Sequence, residues 1–412
     1  NGMQEISKEK INSVIELFSN GNFDAALNTL EDLSKDYPKE SLLFNIKGAC
    51  YAGLGQLDNA VKSYQDAIII NPNYSKAHYN LGGAFHEIGA LDESVQSYLK
   101  SLMIEPDYAE AHNNLGNVYR QQKLLDKAVN SYMRAISINP NYVEAHYSIG
   151  LVFQDLGQTD SMISHIEKVL TIKPDFVEAH NHLGIALKSN GQLDKAILSY
   201  KNALAIQPKN IEVHNNLGNA YKDKGLIDEA ISSYKTALKI NPNLPLLNIN
   251  LGNALKELDQ LDEATASYEK AIIIDSNNAE AYNYLGIVLN KLGRTDDAMA
   301  SYEKAININP NNAEAYNNLG IVLNTIGRLD DAIASYEEAL VINPNYTDSY
   351  NNLGIVLKKI GRLDDAISSY EKAVKINPND ADTYNNLGIA FADLGRLDDA
   401  IASYEKALII NP

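Results

Sequence analysis

Five histidines recur at one interval: His78, His112, His146, His180 and His214 stand 34 residues apart. Imidazole is both a common metal ligand and a common proton carrier, so a regular series raises the question of a metal centre or a relay. The interval argues against both. Helices of neighbouring repeats pack roughly 10 Å apart, whereas the ligands of one zinc ion sit about 2 Å from the metal. The same register later holds Tyr282, Tyr316, Tyr350 and Tyr384, so a packing role is expected for it. His180 and His182 are close in sequence but lack third and fourth ligands. Acidic pairs such as Asp330 and Asp331 open apolar helical runs, where capping and the helix dipole account for them better than acid–base work does. No Gly-rich phosphate loop, Gly-x-Ser-x-Gly elbow or Cys/His pair in a plausible triad is present. Cys50 is the single cysteine; it excludes a disulfide framework and is expected to be an inert core thiol. The chain is therefore expected to be no enzyme, with no catalytic residue, metal ligand or cofactor.

The more persistent chemistry is the carboxamide. Counting from Ser7 in blocks of 34, position 5 is asparagine at Asn45, Asn113, Asn181, Asn215, Asn283, Asn317, Asn351 and Asn385. Position 6 is asparagine at Asn12, Asn80, Asn114, Asn216, Asn250, Asn318, Asn352 and Asn386. Asparagine is a mediocre helix former, so repeating it in mid-helix has a cost that asks for a reason. Its amide offers two donors and an acceptor, which suits the N–H and C=O of a peptide main chain irrespective of side chains. One such residue per repeat, at about 10 Å spacing, would meet roughly every third residue of an extended strand rising ~3.3 Å per residue. The alternative is that these amides bond within or between repeats. Under the binding reading they are solvated in the free chain, so replacing Asn80, Asn114, Asn216 and Asn250 with alanine should scarcely change stability.

The elements that place these residues follow from glycine and proline. Of 24 glycines, 11 fall on a 34-residue comb from Gly48 to Gly388 and 10 on a second comb between Gly21 and Gly395; 11 of 12 prolines fall on a third, from Pro38 to Pro412. Separate domains with unrelated cores are thereby excluded. The units are 7–40, 41–74, 75–108, 109–142, 143–176, 177–210, 211–244, 245–278, 279–312, 313–346, 347–380 and 381–412. In 313–346, Tyr316, Leu319, Gly320 and Leu323 form the stripe of one amphipathic helix, and Gly327 ends it. Asp330 then stands at an expected N-cap before a second stripe of Ala332, Ile333, Tyr336, Ala339 and Leu340, which Pro344 closes. Small residues at Gly320, Ala332 and Ala339 allow close approach, with Tyr336 filling the groove beside them. Two short helices cannot bury enough surface alone, so the hairpins must stack. The fold expected is all-α, a solenoid of twelve helix-turn-helix repeats.

Aromatic, Leu-Gly, Ala, Tyr, Ala and Pro at unit positions 4, 7–8, 20, 24, 27 and 32 resemble the tetratricopeptide repeat across 7–412. The resemblance implies antiparallel helix pairs in a right-handed superhelix, with first helices lining a concave groove. The run at 113–119 (Asn-Asn-Leu-Gly-Asn-Val-Tyr) and the Asn-Pro-Asn junctions look most like the superhelical arm of O-GlcNAc transferase and its bacterial relatives. That resemblance implies an asparagine ladder holding extended polypeptide, and so a peptide-binding role for Asn80, Asn113, Asn114, Asn181, Asn215, Asn216, Asn250, Asn283, Asn317, Asn318, Asn351, Asn352, Asn385 and Asn386. The clamp by which chaperone-binding tetratricopeptide domains hold an acidic tail needs Lys at position 5, and no unit has it. A scaffold for complex assembly or self-association is the other function class.

Departures mark special units. Lys10, Ser13 and Val14 replace the pattern in 7–40, which reads as a solvated end cap. Met162, Ile166 and Val169 replace Ala, Tyr and Ala in 143–176, while 245–278 begins with Pro245 and lacks its turn glycine (Asp259) and closing proline (Ser276). The superhelix is expected to deviate or flex at these two units. Position 2 is acidic (Glu110, Glu144, Glu178, Glu212, Glu280, Glu314, Asp348, Asp382) and position 9 aliphatic (Leu151, Ile185, Ile287, Ile321, Ile355, Ile389), giving a groove with an acidic edge and a greasy floor.

With 35 basic against 53 acidic side chains, the net charge of −18 disfavours nucleic-acid backbones, and neutral or basic peptides or proteins are the partners expected. No stretch approaches the roughly 18 apolar residues of a membrane span, and no secretory signal opens the chain; a cytoplasmic, reducing setting is expected. Residues 1–6 read as a leader, with Asn1 and Gly2 ahead of Met3 resembling a cloning remnant. The unit 381–412 keeps its full apolar pattern up to Pro412. A covering helix and a glycosyltransferase-type domain are expected beyond it, with self-association through the uncapped repeat in their absence.

Overall fold

The computed structural model describes residues 5–412, and the described residues form 24 α-helices and no strand. Asn1, Gly2 and Met3 of the expected leader lie outside the described residues; Ile6 packs onto the core of the first hairpin. The chain divides into two compact units at Pro208 and Lys209. The first carries α1 (Lys8–Ser19), α2 (Phe23–Asp36), α3 (Ser41–Gly53), α4 (Leu57–Ile70), α5 (Ser75–Ile88), α6 (Leu91–Ile104), α7 (Ala109–Gln121), α8 (Leu125–Ile138), α9 (Val143–Asp155), α10 (Thr159–Ile172), α11 (Val177–Ser189) and α12 (Leu193–Ile206). The second carries α13 (Ile211–Asp223), α14 (Ile227–Ile240), α15 (Pro245–Glu257), α16 (Leu261–Ile274), α17 (Ala279–Lys291), α18 (Thr295–Ile308), α19 (Ala313–Thr325), α20 (Leu329–Ile342), α21 (Thr347–Lys359), α22 (Leu363–Ile376), α23 (Ala381–Asp393) and α24 (Leu397–Ile410). In each compact unit, every odd helix pairs with the even helix after it, and that even helix also packs on the next odd one. Odd helices touch one another across hairpins as well, α3 with α5 and α17 with α19 among them. They therefore line one continuous face of each stack.

Local chemistry sets the joints. Gly327 adopts φ +84, a left-handed conformation that glycine enters without a Cβ penalty. Arg328 N–H then reaches back to the Leu323 carbonyl at 2.9 Å and closes α19. Lys123 (φ 64) and Asp259 (φ 59) make the same turn without glycine, so the missing comb teeth strain the backbone without changing its path. At the other joint the residue that follows the second helix is extended, as a residue before proline must be. There Asn71, Asn139, Asn241, Asn309, Asn343 and Asn377 each accept the N–H two residues on through Oδ1. Asp275 does so ahead of Ser276, where the proline is absent. The Asn-Pro-Asn junction is thus a local turn device.

Asp330 is not the N-cap. The helix begins at Leu329, with Arg328 at the cap, so Asp330 and Asp331 fall in the first turn. Asp331 pairs with Arg328 at 2.8 Å, and Arg294–Asp297, Arg362–Asp365 and Arg396–Asp399 repeat the arrangement. The cause is Leu329, whose apolar contact with the core draws the helix start two residues earlier than an Asp330 cap would set it.

The tyrosine at position 24 meets the glycine at position 8 as expected. A Cβ on Gly320 would lie 2.5 Å from the Tyr336 ring, and Gly184, Gly218, Gly286 and Gly354 face Tyr200, Tyr234, Tyr302 and Tyr370 in the same way. In 143–176, Ile166 takes that place against Gly150, with Met162 and Val169 also fully buried. Its helices α9 and α10 nevertheless have the usual lengths, as do α15 and α16, where Pro245 occupies the first helical turn. Cys50 is buried, and burial pushes its thiol up to about 11, in keeping with an inert core group. Val14 in α1 is buried rather than solvated, whereas Lys10 and Ser13 are exposed.

Candidate functional site

The histidine series is structural. Nε2 of His78, His112, His146 and His180 lies 2.7 to 2.9 Å from the carbonyl of Pro72, Pro106, Pro140 and Pro174, six residues earlier. Each ring clasps the junction that leads into its own helix. His146 also meets His165 of α10, Nδ1 to Nδ1 at 3.0 Å. Burial holds the His112 and His165 imidazoles below the usual histidine range, and His146 adds to the effect at His165. No group of three potential metal ligands occurs among the described residues.

The asparagines divide into two sets. At position 5, Asn113, Asn181, Asn283 and Asn317 are buried, Asn215 and Asn351 are half-buried and Asn385 is exposed. At position 6, Asn80, Asn114, Asn216, Asn250, Asn318, Asn352 and Asn386 are all half-buried. The two sets meet between repeats. Nδ2 of Asn80 donates to Oδ1 of Asn45 at 3.0 Å, Asn250 to Asn215 at 2.9 Å, Asn318 to Asn283 at 3.1 Å and Asn352 to Asn317 at 3.2 Å. Where position 5 is Tyr79, Asn114 donates to its hydroxyl instead, at 2.9 Å. Ser349 and Thr383, at position 3, donate to Asn317 and Asn351 from below.

The carboxamides therefore form rungs that lock one hairpin to the next. This corrects the expectation that Asn80, Asn114 and Asn250 are free of structural duty, because a half-buried donor engaged between repeats is missed when removed. Asn113, Asn181, Asn283 and Asn317 lie deeper than the position-6 amides. What position 6 retains is valence: after donating one N–H, Asn80, Asn250, Asn318 and Asn352 keep a second N–H and a carbonyl oxygen.

The positions that flank these amides differ in exposure. Glu110, Glu144, Glu178, Glu212, Glu280, Glu314, Asp348 and Asp382 are exposed, and Leu151, Ile185, Ile287, Ile321, Ile355 and Ile389 are half-buried. The acidic edge is felt by its neighbours. Burial, then Glu110, pushes the Tyr142 phenol up to about 12, and burial with Glu314 and Asp348 does the same to Tyr346.

Sequence reasoning missed the aromatics of the first compact unit. Tyr74, Tyr108, Tyr142 and Phe176 close four consecutive repeats at position 34, a signal visible in the periodic layout. Tyr108 stacks on Tyr79 with centroids 4.8 Å apart, and Phe176 tilts against Tyr147 at 4.7 Å.

Stacked hairpins with a glycine–tyrosine seam and proline-closed junctions define a tetratricopeptide architecture, and the chain belongs to the tetratricopeptide-repeat proteins. The family model of the cilia and flagella-associated protein 70 C-terminal domain matches residues 172–387. Tetratricopeptide-repeat models match 48–89, 82–123, 116–157, 143–176 and 381–412. Among solved structures, MamA is 32% identical over 39% of this chain and 94% of its own, with a TM-score of 0.37. YrrB, described as a TPR protein with an unusual peptide-binding site, is 28% identical over 44% and 94%, with a TM-score of 0.38. The Cut9–Hcn1 hetero-tetramer of the APC/C aligns over 97% and 86% at 16% identity, with a TM-score of 0.47. No curated protein gives a significant match.

Proposed function

We propose that this chain is a protein-interaction module that holds extended polypeptide along the face of its odd helices, in the manner of the recognition arm of an O-GlcNAc-transferase-like enzyme. The observation that carries the reading is the spare amide valence of Asn80, Asn250, Asn318 and Asn352: one N–H is spent on the rung, and the remaining N–H and carbonyl form a donor–acceptor pair suited to main chain. Fixed in direction by the rung, each amide loses little further freedom on binding. The exposed carboxylates beside them favour neutral or basic segments over acidic ones. No helix of the described residues is long and apolar enough to cross a membrane.

Fluorescence anisotropy with a panel of neutral, basic and acidic unstructured peptides tests this. Basic and neutral peptides are expected to bind, with affinity for the basic set falling as salt rises and on replacement of the exposed Glu110, Glu144 and Glu178 by glutamine. Equal binding of acidic peptides, or none by any peptide up to millimolar concentration, refutes it. A scaffold role is favoured by a different observation. Ile69, Met103, Ile273 and Val341, all at unit position 29, expose three-quarters or more of their surface on even helices, where a protein partner would cover them. Ile69→Ser and Met103→Ser would then abolish an assembly seen by sedimentation and leave peptide binding intact.

A further inference from the structure

In the first compact unit one position-5 asparagine has lost the rung that Asn45 keeps. Position 6 of the unit 143–176 is Ser148, so no carboxamide reaches back to Asn113. Asn113 is 5% exposed, and its Oδ1 has no hydrogen-bond partner. Elsewhere the equivalent oxygen of Asn45, Asn215, Asn283 and Asn317 accepts from the asparagine 35 residues on. A buried acceptor left unmade is costly, and the residue that carries it borders open space. Asn113 lines a cavity of about 830 Å³ whose walls include Asn117, Tyr142, Glu144, Tyr147, Ser148 and Phe176. Asn117 accepts from the Tyr132 hydroxyl, which leaves its own amide hydrogens for a ligand.

We propose that this cavity is a side-chain subsite for a neutral primary amide, an asparagine or glutamine of the bound polypeptide, which supplies the missing rung. The ligand NH₂ donates to Asn113 Oδ1 as Asn80 does to Asn45, and the ligand carbonyl accepts from Asn117. The apolar stem lies against the Tyr147 and Phe176 rings, which pack on each other at the cavity wall with centroids 4.7 Å apart. Charge selects the neutral group. Lys173 stands 5.0 Å from the Phe176 centroid and also lines the cavity, so an incoming guanidinium or ammonium meets a like charge. Glu144 in the same wall disfavours a carboxylate. The inference rests on the polypeptide-binding reading and adds to it a sequence preference that main-chain recognition alone cannot give.

The test uses the full chain and a synthetic Ala/Ser/Lys host peptide with one guest residue, read by fluorescence anisotropy. Gln and Asn guests are expected to bind about fivefold tighter than Leu, Glu or Arg guests, the worth of one completed amide hydrogen bond. In Ser148→Asn the rung is restored from within, so the melting temperature should rise and the Gln/Asn preference vanish while the Leu guest binds as before. Asn113→Leu removes the acceptor and should lose the same preference; circular dichroism confirms that both variants are folded. Free L-glutamine, which has the amide without a main chain, should not displace the Gln peptide at matched concentration. If all guests bind the wild type alike, or the preference survives in Ser148→Asn, the subsite falls and the groove stands. Preference for Arg overturns the neutral-amide assignment, and displacement by free L-glutamine overturns the polypeptide source. If no host peptide binds at all, groove and subsite fall together.

Discussion

Replacing Gly320 by alanine would set a methyl group 2.5 Å from Cε1 of Tyr336 and 2.8 Å from its Cδ1 and Cζ. Carbon atoms rest about 3.5–4.0 Å apart, so the ring must retreat by roughly 1 Å or the two helices must part. Tyr336 is 1% exposed and packed in the continuous core of the second compact unit, so it has nowhere to go. Overpacking of this kind costs about 1–3 kcal/mol, while alanine in a helix interior regains up to about 1 kcal/mol over glycine. With the ring held, a net loss of about 1–2 kcal/mol is expected from those two terms. Gly83 is the internal control. It lies in the interior of α5, and a Cβ there would meet only the Tyr98 hydroxyl, at 3.5 Å. Gly83→Ala should therefore stabilise by up to about 1 kcal/mol. Because stability in a stack of repeats is a local sum, the assay is amide hydrogen exchange in α19 and α20 against α5 and α6, alongside urea denaturation. Unchanged or raised protection of α19 in Gly320→Ala, or a like-signed response to both alanines, would refute the packing argument.

Two further outcomes follow from the rungs and the histidine clasp. Asn317→Ala removes the acceptor shared by Ser349, which is fully buried, and Asn352; a loss of about 1–3 kcal/mol is expected from the orphaned donors, and α19–α21 amides that keep their protection would contradict it. The lowered His165 and His112 imidazoles mean that the unfolded chain takes up protons near the ordinary histidine value of about 6.5 while the folded repeats do not. Their contribution is complete above that pH and is lost as pH falls below it, until the folded imidazoles titrate. The melting temperature should accordingly decline less steeply between about pH 7 and 5.5 in His165→Gln than in the parent chain; identical slopes would show that His165 does not take up a proton on unfolding.

Much was legible in the sequence because the repeat repeats its physics. The combs of Gly48 to Gly388 and of Pro38 to Pro412 mark where helices must approach or stop, and these are constraints of backbone and volume that act within one hairpin. Gly320 against Tyr336 and the left-handed turn at Gly327 could be read for that reason. The helix start at Arg328 and Leu329 was misplaced because a core contact of Leu329 outweighs the capping preference of Asp330.

What only the tertiary structure decided is the fate of each polar group. Asn45 and Asn80 are 35 residues apart, and nothing in their local sequence says whether an amide meets water, a ligand or its neighbour's amide; stacking brings them to 3.0 Å. The same stacking turns the histidine register into a clasp on the proline carbonyls, and the exchange of asparagine for Ser148 into a buried, unpaired oxygen at Asn113 beside an open cavity. Periodicity along the chain specifies which residues share a face. Hydrogen-bond partners depend on distances of a few tenths of an ångström between hairpins, and those are set only when the hairpins pack.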